Sequence, residues 1–541
     1  MKEMYAHVLF PLALDSTFTY RIPPELAPAA VPGKQVTAPI GHRIQTGIIT
    51  HISNTPHAPA LEIKDILSIE EKLPVVPEKT LRFWHWIASY YLCPTGLVAK
   101  MAWSSWRFKR HAVSEFSKDN DETLLLKTPE KPLYLRHAQR TVFYKKEILK
   151  TITAGKQCLV LCPDKISCEN TYHDFLQDQE DRVFCFHSKR SMKEQSTVKK
   201  ELYAGNPCIV TGMHHALLLP FTRLGLIIVE QEEHPGHKRT DALPLFHARD
   251  TALYMGQLFG AQVILGSAIS SLETFYNVQQ KKYTTYPLNQ EIPAAKAIVI
   301  NTSLSYPAPT FKEMFDFRTK VLMDQCRAKG KKILLVTDTP NTIEQQEQED
   351  TILCHSFQVH HHLNKEIGLV CFPDMDAFLA NTHFRTTERA YQIIGNVLAY
   401  AALQQIPVPV CLQTSHTQHP LYEYLKESSS NPVFMSMLEE RKQYNYPPYT
   451  RLLHITITHH RKSTARQKIQ LLLSRLRESS AAMDCIGPFV PQTFPSPGFS
   501  YRLQCVLPRT NQAKVLKETI AAVIKDTPLA PAKYRVDVDP V

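Results

Sequence analysis

The sequence predicts an α/β multidomain protein in which a small β-rich N-terminal domain precedes two parallel-sheet lobes and an α+β domain closes the chain. Three observations lead there. At 541 residues the chain exceeds one ordinary core, since domains run to roughly 100–200 residues. Its opening consists of short apolar runs broken by turn residues. Beyond them, runs of β-branched residues alternate with helix-length segments, the rhythm of a parallel sheet covered by helices.

The opening runs are Tyr5–Phe10, Thr17–Ile22, Gly33–Ala38 and Gln45–Ile52, with Pro23-Pro24 and Pro32-Gly33 between them. Leu81 to Tyr91 reads as a helix, and Trp84, Ile87 and Tyr91 recur at helical spacing as core residues. Ser114 to Glu130 is polar and charged, a linker. The rhythm then changes. Val142–Thr153 is expected as helix, and Gln157–Cys162, Cys208–Thr211, Leu226–Glu230 and Gln262–Leu265 as strands. A second unit has strands at Lys331–Thr337 and Glu366–Cys371 and a helix at Arg389–Gln405, with Glu344–Asp350 as a loop. After Pro447-Pro448 the pattern runs Arg451–Thr458, Thr464–Ser479, Tyr501–Leu507, Gln512–Ile524 and Arg535–Val538, strand and helix in alternation.

Composition is globular, with 43% hydrophobic and 21% charged residues, and no run approaches the roughly 18 apolar residues of a membrane span. No membrane partner is expected. Met1 to Asp15 is mildly apolar, but Glu3, His7 and the missing small-residue cleavage site argue against a signal peptide. Twelve cysteines stand as singles without any Cys-x-x-Cys, which fits a reducing cytoplasm. Lys and Arg exceed Asp and Glu, 62 against 51, an excess that a solvated surface or phosphate binding would both explain.

Ordered marks along the chain carry a resemblance. They are Ala6-His7-Val8, Thr17-Phe18-Thr19-Tyr20, Tyr90-Tyr91 with Pro94 and Gly96, His187-Ser188 and Leu224-Gly225-Leu226-Ile227-Ile228-Val229. His247-Ala248-Arg249-Asp250, Leu265-Gly266-Ser267-Ala268, Ser271-Leu272-Glu273, Glu388-Arg389, Gln413-Thr414 and His419-Pro420 follow. Tyr446-Pro447-Pro448-Tyr449 with Arg451, and Val536-Asp537-Val538-Asp539-Pro540, close the series. In this order they make the chain similar to the PriA family, primosomal protein N′. The resemblance implies a two-lobe RecA-like helicase motor, an N-terminal domain for the 3′ end of nascent DNA at a stalled fork, and recruitment of the machinery that loads the replicative helicase.

The family's motor needs a glycine-rich loop cradling phosphate, with a Lys and a Ser/Thr. By resemblance that loop falls on Tyr134–Thr141, where both glycines are absent, Gln139 stands at the second, and Arg140 replaces the lysine. Only Thr141 matches. The metal and general-base motif aligns with Glu230-Gln231-Glu232-Glu233, so Glu230 could hold a metal while Gln231 cannot accept a proton; a solvated acidic turn is expected. The arginine motif aligns with Asn396–Leu403, where Tyr400 and Leu403 replace both arginines. Arg140, Thr141 and Glu230 therefore mark a degenerate nucleotide site, and no catalytic residue and no cofactor are expected.

The family's zinc-binding Cys-x-x-Cys insertion is missing, since no cysteine lies between Leu334–Asp338 and Glu344–Asp350. No metal is expected, and His360-His361-His362 reads as a surface or loop triplet. The family's 3′-end pocket carries over onto Phe18, Thr19, Gly41 and Lys64, with Phe for base stacking, Gly for close approach and Lys for phosphate. Thr19 stands where the family has Asp. Further basic stretches are Arg107, Lys109 and Arg110; Arg136, Arg140, Lys145 and Lys146; and Lys189, Arg190 and Lys193.

The expected division is 1–108, a β-rich 3′-end DNA-binding domain; 109–131, a linker without the family's winged helix; 132–288 and 289–435, two degenerate helicase lobes; and 436–541, the α+β domain. The expected function is replication restart. In that reading the chain binds branched forks and the 3′ ends of nascent strands, with primosome and helicase-loading proteins as partners, and has no helicase activity. An atypical DNA-dependent ATPase and a replication-protein scaffold are the alternatives.

Overall fold

A computed structural model describes residues 3–541 except 57–62, 72, 107–129, 179–181, 287–295, 304–314, 339–349, 365, 382, 405–407, 428, 480–483 and 492–497. The basic residues Arg107, Lys109 and Arg110 and nearly all of the expected linker and of the Glu344–Asp350 loop lie outside the described residues.

Alternating apolar residues build the first sheet from β1 (Tyr5–Leu9), β2 (Phe18–Arg21), β3 (Gln35–Ile40), β4 (Arg43–Ser53) and β5 (Ser68–Ile69), paired antiparallel in the order β2-β1-β4-β3-β5. Ala6 and Val8 face an interior shared with Phe10, Tyr20, Val36, Ala38 and Ile49. Leu9 and Ile48 instead join the core of the helices Glu78–Tyr90 and Thr95–Trp106, which explains why β1 is buried on both faces. Trp84, Ile87 and Tyr91 are core residues, as their spacing predicted. The sheet curls closed, because Arg21 N donates to Lys64 O at 2.9 Å and Ile66 N to Arg21 O at 3.0 Å.

The first parallel sheet consists of β6 (Leu133–Arg136), β7 (Gln157–Leu161), β8 (Val183–Phe186), β9 (Ile209–Gly212), β10 (Leu224–Glu230), β11 (Gln262–Ser267) and β12 (Thr284–Thr285), in the order β12-β6-β11-β10-β7-β9-β8. Both faces are covered. Val160, Leu226, Ile228 and Ile264 pack on Tyr144, Ile148 and Ile152 of the helix Thr141–Thr153, while Leu159, Ile227, Val229 and Leu265 face the opposite core. Two-sided burial is why these strands read as unbroken apolar runs.

A second parallel sheet has β13 (Ala297–Asn301), β14 (Lys332–Thr337), β15 (Thr351–His355), β16 (Ile367–Phe372) and β17 (Val410–Thr414), in the order β13-β17-β16-β14-β15. The last sheet is antiparallel, β19-β20-β18-β21, from β18 (Thr450–His459), β19 (Asp484–Phe489), β20 (Phe499–Pro508) and β21 (Lys533–Val538). The helices Lys462–Ser479 and Gln512–Asp526 bury Ile469, Leu472, Leu476, Leu516 and Ile520 in the core it shares. The expected α/β class is thus observed in all its parts.

Candidate functional site

Ligands of parallel α/β sheets gather at the C-terminal ends of the strands. Here β6 ends at Arg136 and a short turn leads to the helix Thr141–Thr153, with Arg140 at its N-cap and Thr141 as its first residue. β10 ends at Glu230. Between β6 and β10 lies β11, whose Gly266 pairs with Leu135 on one side and Glu230 on the other. A Cβ at Gly266 would sit 1.5 Å from the Tyr144 hydroxyl and 3.2 Å from Arg140 Cδ. Glycine is required there because two side chains cross the strand to reach Glu230.

Arg140 Nε donates to Glu230 Oε2 at 2.7 Å and Nη2 donates to Oε1, a two-pronged pair. Arg140 Nη1 donates to His137 O at 3.2 Å, and the Tyr144 hydroxyl donates to Glu230 Oε2 at 2.8 Å. Burial opposes the Arg140 charge, but the Glu230 carboxylate outweighs it and holds the guanidinium pKa above its ordinary value. The cation where the resemblance places a phosphate-binding lysine is therefore neutralised from within. Glu230, expected as a possible metal ligand, is occupied by the same contacts.

The turn after β10 corrects an expectation. It is not a solvated acidic turn, because Gln231 adopts φ 52° and swings Glu232 into the protein. Glu232 accepts from Ser271 N at 2.8 Å, Ser271 Oγ at 2.9 Å and Arg249 Nη1 at 3.0 Å. Glu233 accepts from Asn396 Nδ2 of the second lobe at 2.9 Å, and its other oxygen is buried without a partner among the described residues. Burial and the neighbouring Glu232 push the Glu233 carboxyl up to about 8.

Arg140, Gln231 and Glu233 line a cleft of about 1060 Å³ between the lobes. Tyr400 and Leu403, which the resemblance places at two arginine positions, line it too, beside Asn396 and Gln139. No charge-bearing side chain reaches the cleft from either of those two positions. Beside apolar and amide side chains the cleft is lined by Arg140 and Glu233 of the first lobe and by Lys329, Lys331 and Arg389 of the second.

Sequence reasoning missed how the lobes are joined. Arg385 Nη2 donates to Glu273 Oε1 at 2.6 Å, and Arg441 Nη2 donates to Glu388 Oε2 at 2.7 Å. Glu388 also accepts from Leu272 N at 2.9 Å, while Gln392 Nε2 donates to Ser270 O at 2.9 Å. Ser271-Leu272-Glu273 and Glu388-Arg389 were visible as marks, but nothing in the chain paired them. His360 and His361 are likewise no surface triplet, for they lie in the helix Val359–His362 against Asp164 of the first lobe.

The four residues of the expected 3′-end pocket gather round β2. Phe18 and Thr19 lie in that strand, and the Tyr20 hydroxyl donates to Pro39 O at 2.8 Å, drawing in the β3–β4 hairpin whose tip is Gly41. Gly41 takes φ 57°, with no atom within 4 Å of where a Cβ would stand. Lys64 is exposed, and its carbonyl is the Arg21 acceptor at the far end of β2. Phe18 meets Phe10 edge-on at 5.9 Å, so it also packs the interior, and Thr19 Oγ1 lies 3.4 Å from His7 Nδ1. Among the basic stretches, Arg140 is buried, Lys145 pairs with Asp178 at 2.6 Å, and Arg190 pairs with Glu169 and Glu194. Lys146, Lys189 and Lys193 are exposed.

Residues 7–104 match the family model "3'DNA-binding domain (3'BD)" of PriA, and residues 442–541 match "Primosomal protein N C-terminal domain". The Replication restart protein PriA of Rickettsia felis is 26% identical over 297 residues, covering 51% of this chain and 45% of that protein. The chain thus matches less than half the length of that relative. The Replication restart protein PriA of Treponema pallidum is 20% identical over 663 aligned residues, covering 99% of both. The structure of RecG bound to a three-way DNA junction is similar at a TM-score of 0.39 and 11% identity, over 67% of this chain and 53% of that one. With both terminal domains matched and a relative aligned end to end, the chain is similar to the PriA family of replication restart proteins.

Proposed function

We propose that this protein binds stalled or branched forks and helps to reload the replicative helicase without hydrolysing ATP, as a catalytically inactive member of its family. The observation that carries the reading is the Arg140–Glu230 pair, in which the residues at the phosphate and metal positions satisfy one another. Phosphoryl transfer needs several charged parts placed together, and Tyr400 and Leu403 supply none from the second lobe. Phe18, Thr19, Gly41 and Lys64 form the DNA-end pocket in this reading, within a domain spanning 1–108. Primosome and helicase-loading proteins are the partners, and the cytoplasm is the compartment.

Fluorescence anisotropy with a fork bearing a recessed 3′ hydroxyl, the same fork capped with 3′ phosphate, and a linear duplex tests this. Preferential fork binding that weakens with the cap and ignores ATP is expected. Equal, salt-steep binding to all three leaves only a generic basic surface. The open cleft supports a second reading, an atypical DNA-dependent ATPase, which DNA-stimulated phosphate release lost in Glu230→Ala would establish.

A further inference from the structure

We propose that Asp164, His360 and His361 form a divalent transition-metal site, of the zinc class, that bridges the two lobes. Asp164 follows β7 and caps the helix Lys165–Leu176 in the first lobe, whereas both histidines belong to the short helix Val359–His362 of the second. His361 Nε2 lies 3.1 Å from Asp164 Oδ1, and His360 Nε2 lies 3.4 Å from Oδ2. One ligand atom from each of the three residues falls within 4.8 Å of the others. Zinc binds imidazole nitrogen and carboxylate oxygen at about 2.0–2.2 Å, so the edges of its tetrahedron measure about 3.3–3.6 Å. The two spacings, one to each oxygen of the carboxylate, are near that length, and Ser167 Oγ, 3.0 Å from His360 Nε2, must give up this contact as the ion enters.

The support behind the ligands fits as well. Ser167 N donates to Asp164 Oδ1 at 2.9 Å and Ser167 Oγ donates to Oδ2 at 3.1 Å, orienting the carboxylate as an outer partner does in a metal site. The His361 side chain is only 6% exposed and that of His360 19%, while Asp164 is 31% exposed, leaving solvent a route in. Two imidazoles and one carboxylate leave a fourth position for water. Each ring would coordinate through Nε2 with its proton on Nδ1. The other cluster of this kind among the described residues, Glu169, Cys185 and His187, is a poorer candidate because Arg190 already pairs with Glu169.

The full-length chain, stripped with a chelator and titrated with zinc chloride by calorimetry and with cobalt(II) by visible absorption, decides the matter. One equivalent of zinc, a tetrahedral cobalt spectrum and a metal-dependent rise in melting temperature are expected. Asp164→Asn, which keeps a capping residue, and His361→Asn should each weaken binding about 100-fold or more, with His187→Asn unchanged. Should Asp164→Asn fail to fold, by far-UV circular dichroism, His360→Asn takes its place in the comparison. Absence of saturable binding by the unaltered chain, or binding that survives both site substitutions, overturns the proposal and leaves Asp164 as a hydrogen-bond acceptor only.

Discussion

Arg140 and Glu230 are separated by 90 positions in the chain and meet at 2.7 Å, Nε to Oε2, over a glycine that leaves the space between them open. Both are largely buried, with side chains 11% and 15% exposed. Glu230→Ala leaves the guanidinium without its counter-charge, and breaking a buried pair in this way costs about 3–5 kcal/mol. Urea unfolding should show a loss of that size. A change under about 0.5 kcal/mol, the level of ordinary surface substitutions, would mean that the pair is solvated in solution.

Gly266→Ala tests the same site from the other side. The new methyl would meet the Tyr144 hydroxyl, so Tyr144 and Arg140 must shift. A destabilisation of about 1–3 kcal/mol is expected, as for other overpacked cores. Tyr144→Phe in the same background should recover part of it, since the colliding atom is the hydroxyl.

Glu388 of the second lobe accepts from Leu272 N of the first, pairs with Arg385 and Arg441, and is 3% exposed. Glu388→Ala strands a guanidinium and a backbone donor together, with an expected loss of about 3–5 kcal/mol and faster proteolysis between the lobes. Because the network is buried, the proteolysis rate of the unaltered protein should change little between low and moderate salt.

Glu233 makes the stability depend on pH. Its folded carboxyl titrates at about 8, above the usual carboxylate value near 4.3, so folding takes up a proton between those two values. Below that window both states are protonated and the group contributes nothing. As pH rises through it, stability falls, and the full penalty is present above about 8. Glu233→Gln should flatten this dependence and be the more stable protein at pH 9. Parallel unfolding curves of the two proteins from pH 5 to 9 would count against the shift.

Lys64 and Phe18 separate charge from stacking in fork binding. Lys64→Ala should lower affinity for every DNA alike and reduce the salt slope by about 1, with no effect on folding because the side chain is exposed. Phe18→Leu keeps apolar packing against Phe10 while removing the ring, and should weaken fork binding by about 1–3 kcal/mol. Anisotropy over a salt series reads both. Unchanged fork affinity in Phe18→Leu would assign the ring to the interior alone.

Much of the fold was legible. The run Leu226–Glu230 became the strand Leu224–Glu230 near the middle of the first parallel sheet, because burial on both faces demands unbroken apolar residues. Arg389–Gln405 became the helix Thr386–Ala402, whose Ile394, Val397 and Leu398 face the second core. The strand Asp484–Phe489 went unread, since only Cys485 among its residues is buried and its pattern barely alternates. His360 and His361 were misjudged because their partner, Asp164, lies in the other lobe.

From the chain alone came, by resemblance, the placing of the family's phosphate loop on Tyr134–Thr141 and of its two arginines at Tyr400 and Leu403, and directly from the residues the order of most strands and helices. Those properties depend on residue type and local spacing. The tertiary structure decided what stands in their place: that Arg140 turns to Glu230, that Glu232 folds inward, and that Glu388 gathers Arg385 and Arg441. The reason is topological. The order β6-β11-β10 places two strand ends one glycine apart, and the packing of the second lobe on the first brings Asn396 to Glu233. Neither distance can be read from a one-dimensional pattern, because each follows from how whole sheets are ordered and stacked.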